Sequence, residues 1–242
     1  MSASNGERSV GVARHAPTRR AVAKLGPHPS RSAGLDLTQP DDRARWLVLA
    51  RLCSERIGED VALAAFARLD AETGAAPDRL AAAGPFRVAA VLAAAGLPRA
   101  DAVAPVLCRT AAALCDGYRG DLDGLAAGCE GIEELGGRIA ALAPGIGAAT
   151  VLRFLRPLRD VWSAARETPL SEPARAAAVH LSLISDGEDL EGEPAALLAA
   201  CARELPDLAT VDVEAALERL GATACRRNRP ARCPLGGECP LR

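Results

Sequence analysis

Apolar residues recur along most of the chain at intervals of three and four, which is the spacing of one face of an α-helix. The clearest segment follows Pro40, where two aspartates open a stretch that predicts a helix over residues 41–57. Its apolar positions share one helical face and are expected in the core of the protein: Trp46, Leu49, Leu52, Cys53 and Ile57.

Further segments with helical periodicity follow, and Gly or Pro separates most of them. They cover residues 58–72, 76–83, 85–96, 98–118, 121–128, 130–142, 148–166, 171–184, 193–206 and 211–225. None of these segments shows the strict alternation of apolar and polar residues that is typical of a strand. The pattern therefore predicts an all-α protein built from about ten short helices, without an internal repeat.

The first residues differ from the rest of the chain. Residues 1–38 mix Ser, Pro, Gly and Arg without apolar periodicity, which predicts a disordered basic tail. A helical region is expected over residues 39–224, and a cysteine- and arginine-rich loop over residues 225–242. The tail either adds nonspecific attraction to nucleic acid or is a solvated leader without a specific role.

Composition agrees with a helical protein and excludes some classes. Of the 242 residues, 49% are apolar and only 2% are aromatic, which favours a core of helices packed through small side chains. No apolar run reaches the roughly 18 residues that span a bilayer, and the N-terminus lacks the apolar core of a secretory signal. We therefore predict a cytoplasmic protein that makes no membrane contact.

One short stretch, "LAPGIGAATVLRF" at residues 142–154, joins two apolar segments through a Gly-x-Gly turn. The first N–H groups of the second helix would lack partners there, and Gly145 and Gly147 would let an anion approach them closely. A DNA phosphate is a natural ligand for such a turn. The alternative is a turn that only caps a helix.

The wider context of this turn resembles a known family. The stretch "IAALAPGIGAATVLRFL" matches the helix-hairpin-helix consensus, residues 80–125 resemble the segment that precedes the hairpin, and "LERLGATACRRNRPARCPLGGEC" resembles a C-terminal cluster loop. Over roughly residues 41–242 the chain is similar to helix-hairpin-helix base-excision DNA glycosylases of the endonuclease III and adenine-glycosylase type. The resemblance implies that fold, and a monomer that grips double-stranded DNA through Gly145, Ile146, Gly147, Ala148 and Thr150.

The cysteine loop departs from the family pattern. Members that carry a four-iron four-sulfur cluster space four cysteines as C-x6-C-x2-C-x5-C. Here Cys225, Cys233 and Cys239 give C-x7-C-x5-C, so the second cysteine is missing. With Cys201 or His180 as a remote fourth ligand the loop would hold a 4Fe–4S cluster, and a zinc ion or an empty loop are the alternatives. The isolated cysteines are interpreted as small core residues: Cys53, Cys108, Cys115, Cys129 and, where it is not a ligand, Cys201.

Arginines supply the other predicted DNA contacts. Arg226, Arg227 and Arg229 stand among the loop cysteines, where forked guanidiniums suit phosphate oxygens. Arg56 lies in "ARLCSERIGED", where the family has a Gln that fills the gap left by an extruded base. Glu55 is an alternative pocket acid there, and solvent-facing side chains are the alternative for both residues.

The catalytic residues of the family are incomplete in this chain. Ala149 stands where lyases of the family carry a nucleophilic lysine, and Lys24 is the sole lysine of the sequence, so lyase chemistry is not expected. The family's helix-capping aspartate, which supports the positive charge that develops on the sugar, falls on Glu167 by one count and on Ser171 by another. Glu167 and Glu172 are therefore the predicted catalytic carboxylates, with Asp160 a weaker candidate and Ser171 an uncharged N-cap. The alternative for each glutamate is a solvated or first-turn acid.

These patterns lead to two hypotheses of different classes. The first is a DNA repair enzyme, a monofunctional N-glycosylase without lysine lyase activity. The second is a catalytically degenerate protein that keeps the fold and the hairpin for DNA binding or scaffolding. A hairpin that mediates protein contact is a third, weaker interpretation.

Overall fold

A computed structural model gives the structure of the chain and describes residues 15–55, 57–187, 192–227 and 229–238. These residues form helices and connecting turns and contain no strand, which confirms the all-α prediction for them. None of the helices they form has the length and apolar character needed to cross a membrane.

The described residues contain twelve α-helices, numbered here in chain order. They are α1 Ala16–Leu25, α2 Pro29–Ser32, α3 Pro40–Cys53, α4 Glu59–Thr73, α5 Pro77–Ala94, α6 Ala100–Tyr118, α7 Leu122–Ala126, α8 Ile132–Ala141, α9 Ala148–Leu155, α10 Glu172–His180, α11 Glu193–Glu204 and α12 Thr210–Thr223. Short 3-10 turns follow α9 and α12.

The chain divides into two compact units. A central unit comprises Pro29–Thr168, and a terminal unit combines Met1–His28 with Pro169–Arg242. This division differs from the boundaries at residues 38 and 224 that the sequence pattern predicts. The central unit contains α2–α9, and the terminal unit contains α1 and α10–α12.

Two large aromatic side chains at the centre of the central unit hold α9 in place. Trp46 of α3 and Phe154 of α9 are fully buried, and the indole Nε1 of Trp46 donates a hydrogen bond of 3.0 Å to the carbonyl oxygen of Phe154. The ring of Phe154 also meets the ring of Trp162 edge to face, with 5.8 Å between centroids. The second helix of the predicted hairpin is thus anchored in the core.

The tail prediction is wrong for residues 15–38, which have defined structure, whereas residues 1–14 lie outside the described residues. Helix α1 buries Ala21 in the core of the terminal unit. The guanidinium of Arg219, on α12, donates to the carbonyl oxygens of Leu25, Gly26 and Pro27 at 3.1, 2.8 and 2.9 Å. Because α1 is a short helix whose stability comes from distant residues, its local sequence pattern gave no signal for it.

Two helices end earlier than the periodicity predicts. Helix α3 stops at Cys53, where the Ser54 hydroxyl donates to the carbonyl oxygen of Ala50, instead of continuing to Ile57. Helix α9 stops at Leu155 because Pro157 has no N–H to continue the ladder, and a 3-10 turn follows.

Candidate nucleic-acid interface

Helices α8 and α9 and the loop between them form the hairpin that the sequence predicts. Leu135 and Ile139 of α8 and Val151 and Phe154 of α9 are buried in the core of the central unit. A Cβ atom added at Gly136 would lie 3.2 Å from Cγ1 of Val151, so the two helices pack closely. The loop between the two helices, residues 142–147, is thereby held at one end of a rigid pair.

Gly145 is required by the fold of the hairpin. Its φ of +106° lies in a region that residues with a Cβ atom rarely adopt. A Cβ atom there would also lie 2.8 Å from Cγ2 of Val106, on α6. The backbone conformation and the close contact with Val106 therefore explain why residue 145 is a glycine, without any ligand.

Gly147 differs from Gly145, because neither its backbone conformation nor a described neighbour requires a glycine at this position. Its φ of −94° suits any residue, and a Cβ atom added to it would meet no described atom within 4 Å. The residue is exposed. The missing side chain therefore leaves open space in front of the first turn of α9.

Three backbone donors lie at this end of α9. Among the described residues, the N–H groups of Gly147, Ala148 and Ala149 donate no hydrogen bond, and all three residues are exposed. The helix also has no side-chain N-cap hydrogen bond. The first turn of α9 therefore presents three free N–H groups and the positive end of its dipole to solvent.

Two of the predicted contact residues do not offer such a donor. The N–H groups of Ile146 and Thr150 donate to the carbonyl oxygens of Ala143 and Gly147 at 3.1 and 2.9 Å. Ile146 is 6% exposed and Thr150 is 3% exposed. These two residues pack the hairpin, and the free donors belong to Gly147, Ala148 and Ala149.

Acidic residues are absent from the loop and from α9, whereas α8 has Glu133 and Glu134 in its first turn. Between Leu135 and Arg159 there is no Asp or Glu, whereas there are four arginines. One of them, Arg138, is engaged by Glu134 and donates to the carbonyl oxygens of Leu125 and Ala127 at the end of α7. The exposed side chain of Arg109, on α6, reaches the carbonyl oxygen of Pro144 at 3.5 Å and places a cation beside the loop. Sequence reasoning missed Arg109, because it precedes Pro144 by 35 positions and belongs to no motif.

The two predicted catalytic carboxylates are both exposed. Glu172 opens α10, and its Oε1 lies 3.3 Å from Nε of Arg226, a predicted DNA contact. Glu167 follows the 3-10 turn Ser163–Ala165 and is exposed as well. Ser171 is the N-cap of α10, since its hydroxyl accepts a hydrogen bond of 3.3 Å from the N–H of Ala174, which confirms the capping interpretation.

The remaining basic candidates fall in different places. Arg229 is exposed in the loop that follows α12. The backbone of Arg227 lies in the turn Cys225–Arg227, whereas its side chain and the whole of Arg56 lie outside the described residues. Lys24 lies on α1, where its Nζ donates to the carbonyl oxygen of Pro234 at 2.8 Å.

The cysteine loop does not provide a complete ligand set within the described part of the chain. Cys225 is half-buried and Cys233 is buried, and Cys239 lies outside the described residues. Within those residues, no group of three or more His, Cys, Asp or Glu side chains is arranged to hold a metal ion. Cys201 is buried among apolar residues of the terminal unit, and this burial raises the pKa of its thiol to about 12.

Comparison with models of protein families gives no match for this chain. Comparison with curated protein sequences gives no significant match either. The case for a function therefore depends on the geometry of the hairpin and on the residues around it.

Proposed function

We propose that the chain binds the backbone of duplex DNA through the first turn of α9. The observation that supports this most is the exposed set of three unpartnered N–H groups at Gly147, Ala148 and Ala149, with open space in front of Gly147. Backbone N–H groups at a helix N-terminus are donors for phosphate oxygens, and they carry no sequence preference.

The charge around the hairpin favours the same ligand. Residues 135–159 contain no acid, so no carboxylate of the loop or of α9 repels a phosphate, and Arg109 adds a positive charge beside Pro144. Arginine forms bidentate contacts with phosphate, so it would strengthen the grip of the backbone donors. Binding of this kind is strongly salt-dependent.

We further propose that the chain acts in base-excision repair as an endonuclease III-like, monofunctional glycosylase. The resemblance of the hairpin and of its flanking segments supports this role, and Ala149 in the lysine position argues against lyase chemistry. A cluster held by Cys225, Cys233 and Cys239 stays a prediction. The exposure of Glu167 and Glu172 favours the second candidate function, DNA binding without catalysis.

Replacing Gly147 by Glu tests the DNA interface. We expect Gly147→Glu to lower the affinity for a short duplex by at least about tenfold, because a carboxylate then occupies the space in front of the three donors. Gly147→Ala should fold and bind nearly as the wild type does, since its Cβ meets no neighbour. Fluorescence anisotropy at several salt concentrations measures both variants.

Gly117→Glu is the matched control for added charge, because Gly117 is an exposed glycine of α6 with open space around it. Gly145→Glu is unsuitable, since the clash with Val106 would disturb the fold. Equal affinities of Gly147→Glu and Gly117→Glu would remove the hairpin from the proposed function.

The glycosylase proposal has its own assay. Duplexes that contain uracil, an oxidised pyrimidine, a mismatched adenine or an alkylated purine are incubated with the protein and then treated with alkali to cut abasic sites. We expect strand cleavage on at least one duplex after alkali and none before it, because Ala149 provides no amine. Salt-dependent binding without product on any duplex would favour the non-catalytic alternative.

A further inference from the structure

One aromatic side chain lies outside the two cores. The chain has two Trp, one Tyr and three Phe residues. Trp46, Phe66, Phe154 and Trp162 are buried and Tyr118 is half-buried, whereas the side chain of Phe86 is 92% exposed. An exposed phenylalanine ring in a chain with so few aromatic residues suggests a contact with another molecule.

The backbone holds Phe86 in this exposed position. Helix α5 is kinked at Gly84, whose φ of +73° and ψ of 163° are not helical, and Pro85 restarts the helix with a fixed φ. Val88, Val91 and Leu92 then bury the other side of this second part of α5. Phe86 thus projects from the first turn of a firmly packed helix.

Phe86 lies at about the same height along the pair of helices α5 and α6 as the residues of α6 that contact the hairpin loop. Helices α5 and α6 are joined by five residues and run antiparallel, since a Cβ atom at Gly120 would lie 4.0 Å from Cβ of Pro77. Equal distances from the connection bring Phe86 about level with Cys108 and Arg109. At this level Val106 packs against Gly145, and Arg109 donates to the loop.

The charge around Phe86 is positive. Residues 79–100 contain no acidic residue and include Arg79, Arg87 and Arg99. Arg87, the next residue after Phe86, is exposed. An apolar ring beside an arginine, in an acid-free segment, is complementary to a nucleic acid, which offers flat base faces next to phosphates.

We propose that Phe86 stacks on an unpaired nucleobase of DNA that the hairpin holds, with Arg87 beside the adjoining phosphate. This inference depends on the proposed DNA binding through Gly147. A fully paired duplex keeps its base faces stacked, so Phe86 adds little to its affinity. A duplex with a gap or an unpaired base offers a free face for the ring and binds more tightly.

Two DNA probes test this inference, a fully paired duplex and a duplex of the same sequence in which one strand carries one additional, unpaired base. We expect Phe86→Ala to weaken binding to the interrupted duplex about tenfold and binding to the paired duplex by less than about twofold. Phe86→Trp should keep the preference, and its added indole fluorescence should be quenched by the interrupted duplex more than by the paired one. The matched control is Leu198→Ala, which also removes an exposed large apolar side chain and should change neither affinity.

The outcomes separate this inference from the proposed function. Equal affinities of Phe86→Ala and the wild type for the interrupted duplex, together with loss of binding in Gly147→Glu, would overturn the role of Phe86 alone. An equal loss on both duplexes would overturn the stacking on an unpaired base. Sedimentation in which Phe86→Ala abolishes self-association would assign the ring to a contact between copies of the chain. Absence of DNA binding by the wild type would remove both proposals.

Discussion

Gly221→Ala is expected to lower the free energy of unfolding of the terminal unit by about 3 kcal/mol or more, because it forces two helices apart. Gly221 lies in α12 and is buried. A Cβ atom there would lie 1.8 Å from the carbonyl oxygen of Pro173 and 2.8 Å from the Cα of Pro173, in the first turn of α10. Since these are backbone atoms, no side-chain rotation relieves the overlap.

The expected destabilisation by Gly221→Ala is opposite in sign to the intrinsic preference of a helix for Ala over Gly. In an exposed helix interior, Gly→Ala is stabilising by about 0.5–1 kcal/mol. Gly117→Ala, in α6, provides this matched control, because a Cβ atom there meets no described neighbour. Urea unfolding followed by circular dichroism should therefore move the two variants in opposite directions from the wild type.

The stability of Gly221→Ala also tests the packing around the start of α10, where a candidate catalytic residue lies. Ser171 and Glu172 stand at the start of α10, beside the residue that a Cβ at position 221 would displace. A variant Gly221→Ala with wild-type stability would mean that α10 and α12 do not pack as closely as the structure shows.

Asp123→Ala is expected to lower the free energy of unfolding of the central unit by about 2–4 kcal/mol, since it leaves a buried guanidinium without its counter-charge. Arg43 is 4% exposed, and its Nη2 forms an ion pair with Asp123, while Nη1 donates to the carbonyl oxygen of Leu37 at 2.8 Å. The other carboxylate oxygen of Asp123 accepts a hydrogen bond of 2.7 Å from the indole Nε1 of Trp162.

Asp123→Asn separates the two contributions of this carboxylate. The amide oxygen still accepts the hydrogen bond of Trp162, whereas the charge opposite Arg43 is lost, so a smaller loss of stability is expected than with Ala. Asp116→Ala, in the exposed last turn of α6, is the control and should have almost no effect. Tryptophan fluorescence during urea unfolding follows the central unit, which contains both tryptophans of the chain, Trp46 and Trp162. Equal stability of the wild type and both Asp123 variants would contradict this account.

Part of the candidate site could be predicted from the sequence. A Gly-x-Gly turn between two apolar periodic segments correctly predicts the helices α8 and α9, because helical periodicity and turn residues are local properties. The same pattern gives Gly145 and Gly147 equal weight, although only Gly145 has a positive φ and a close neighbour. The contact that distinguishes them comes from Val106, 39 positions earlier in the chain.

Other residues could not be placed from the sequence, for the same physical reason. Thr150 had the pattern of a DNA contact, but the packing of α9 buries its side chain. Phe86 begins a segment with helical periodicity, and that periodicity does not show that its side chain is 92% exposed beside the kink at Gly84. Burial depends on which surfaces meet, and a local pattern does not contain that information.

The sequence by itself determined that this protein is helical and that a Gly-x-Gly turn joins two of its helices in a hairpin. It also determined that no lysine stands at the hairpin for lyase chemistry. Each of these properties depends on neighbouring residues or on residue type alone. Only the tertiary structure decided that residues 15–38 are ordered, that three N–H groups remain free at α9, and that Glu167 and Glu172 are exposed. These properties arise from contacts between distant segments, which form only when the helices pack together.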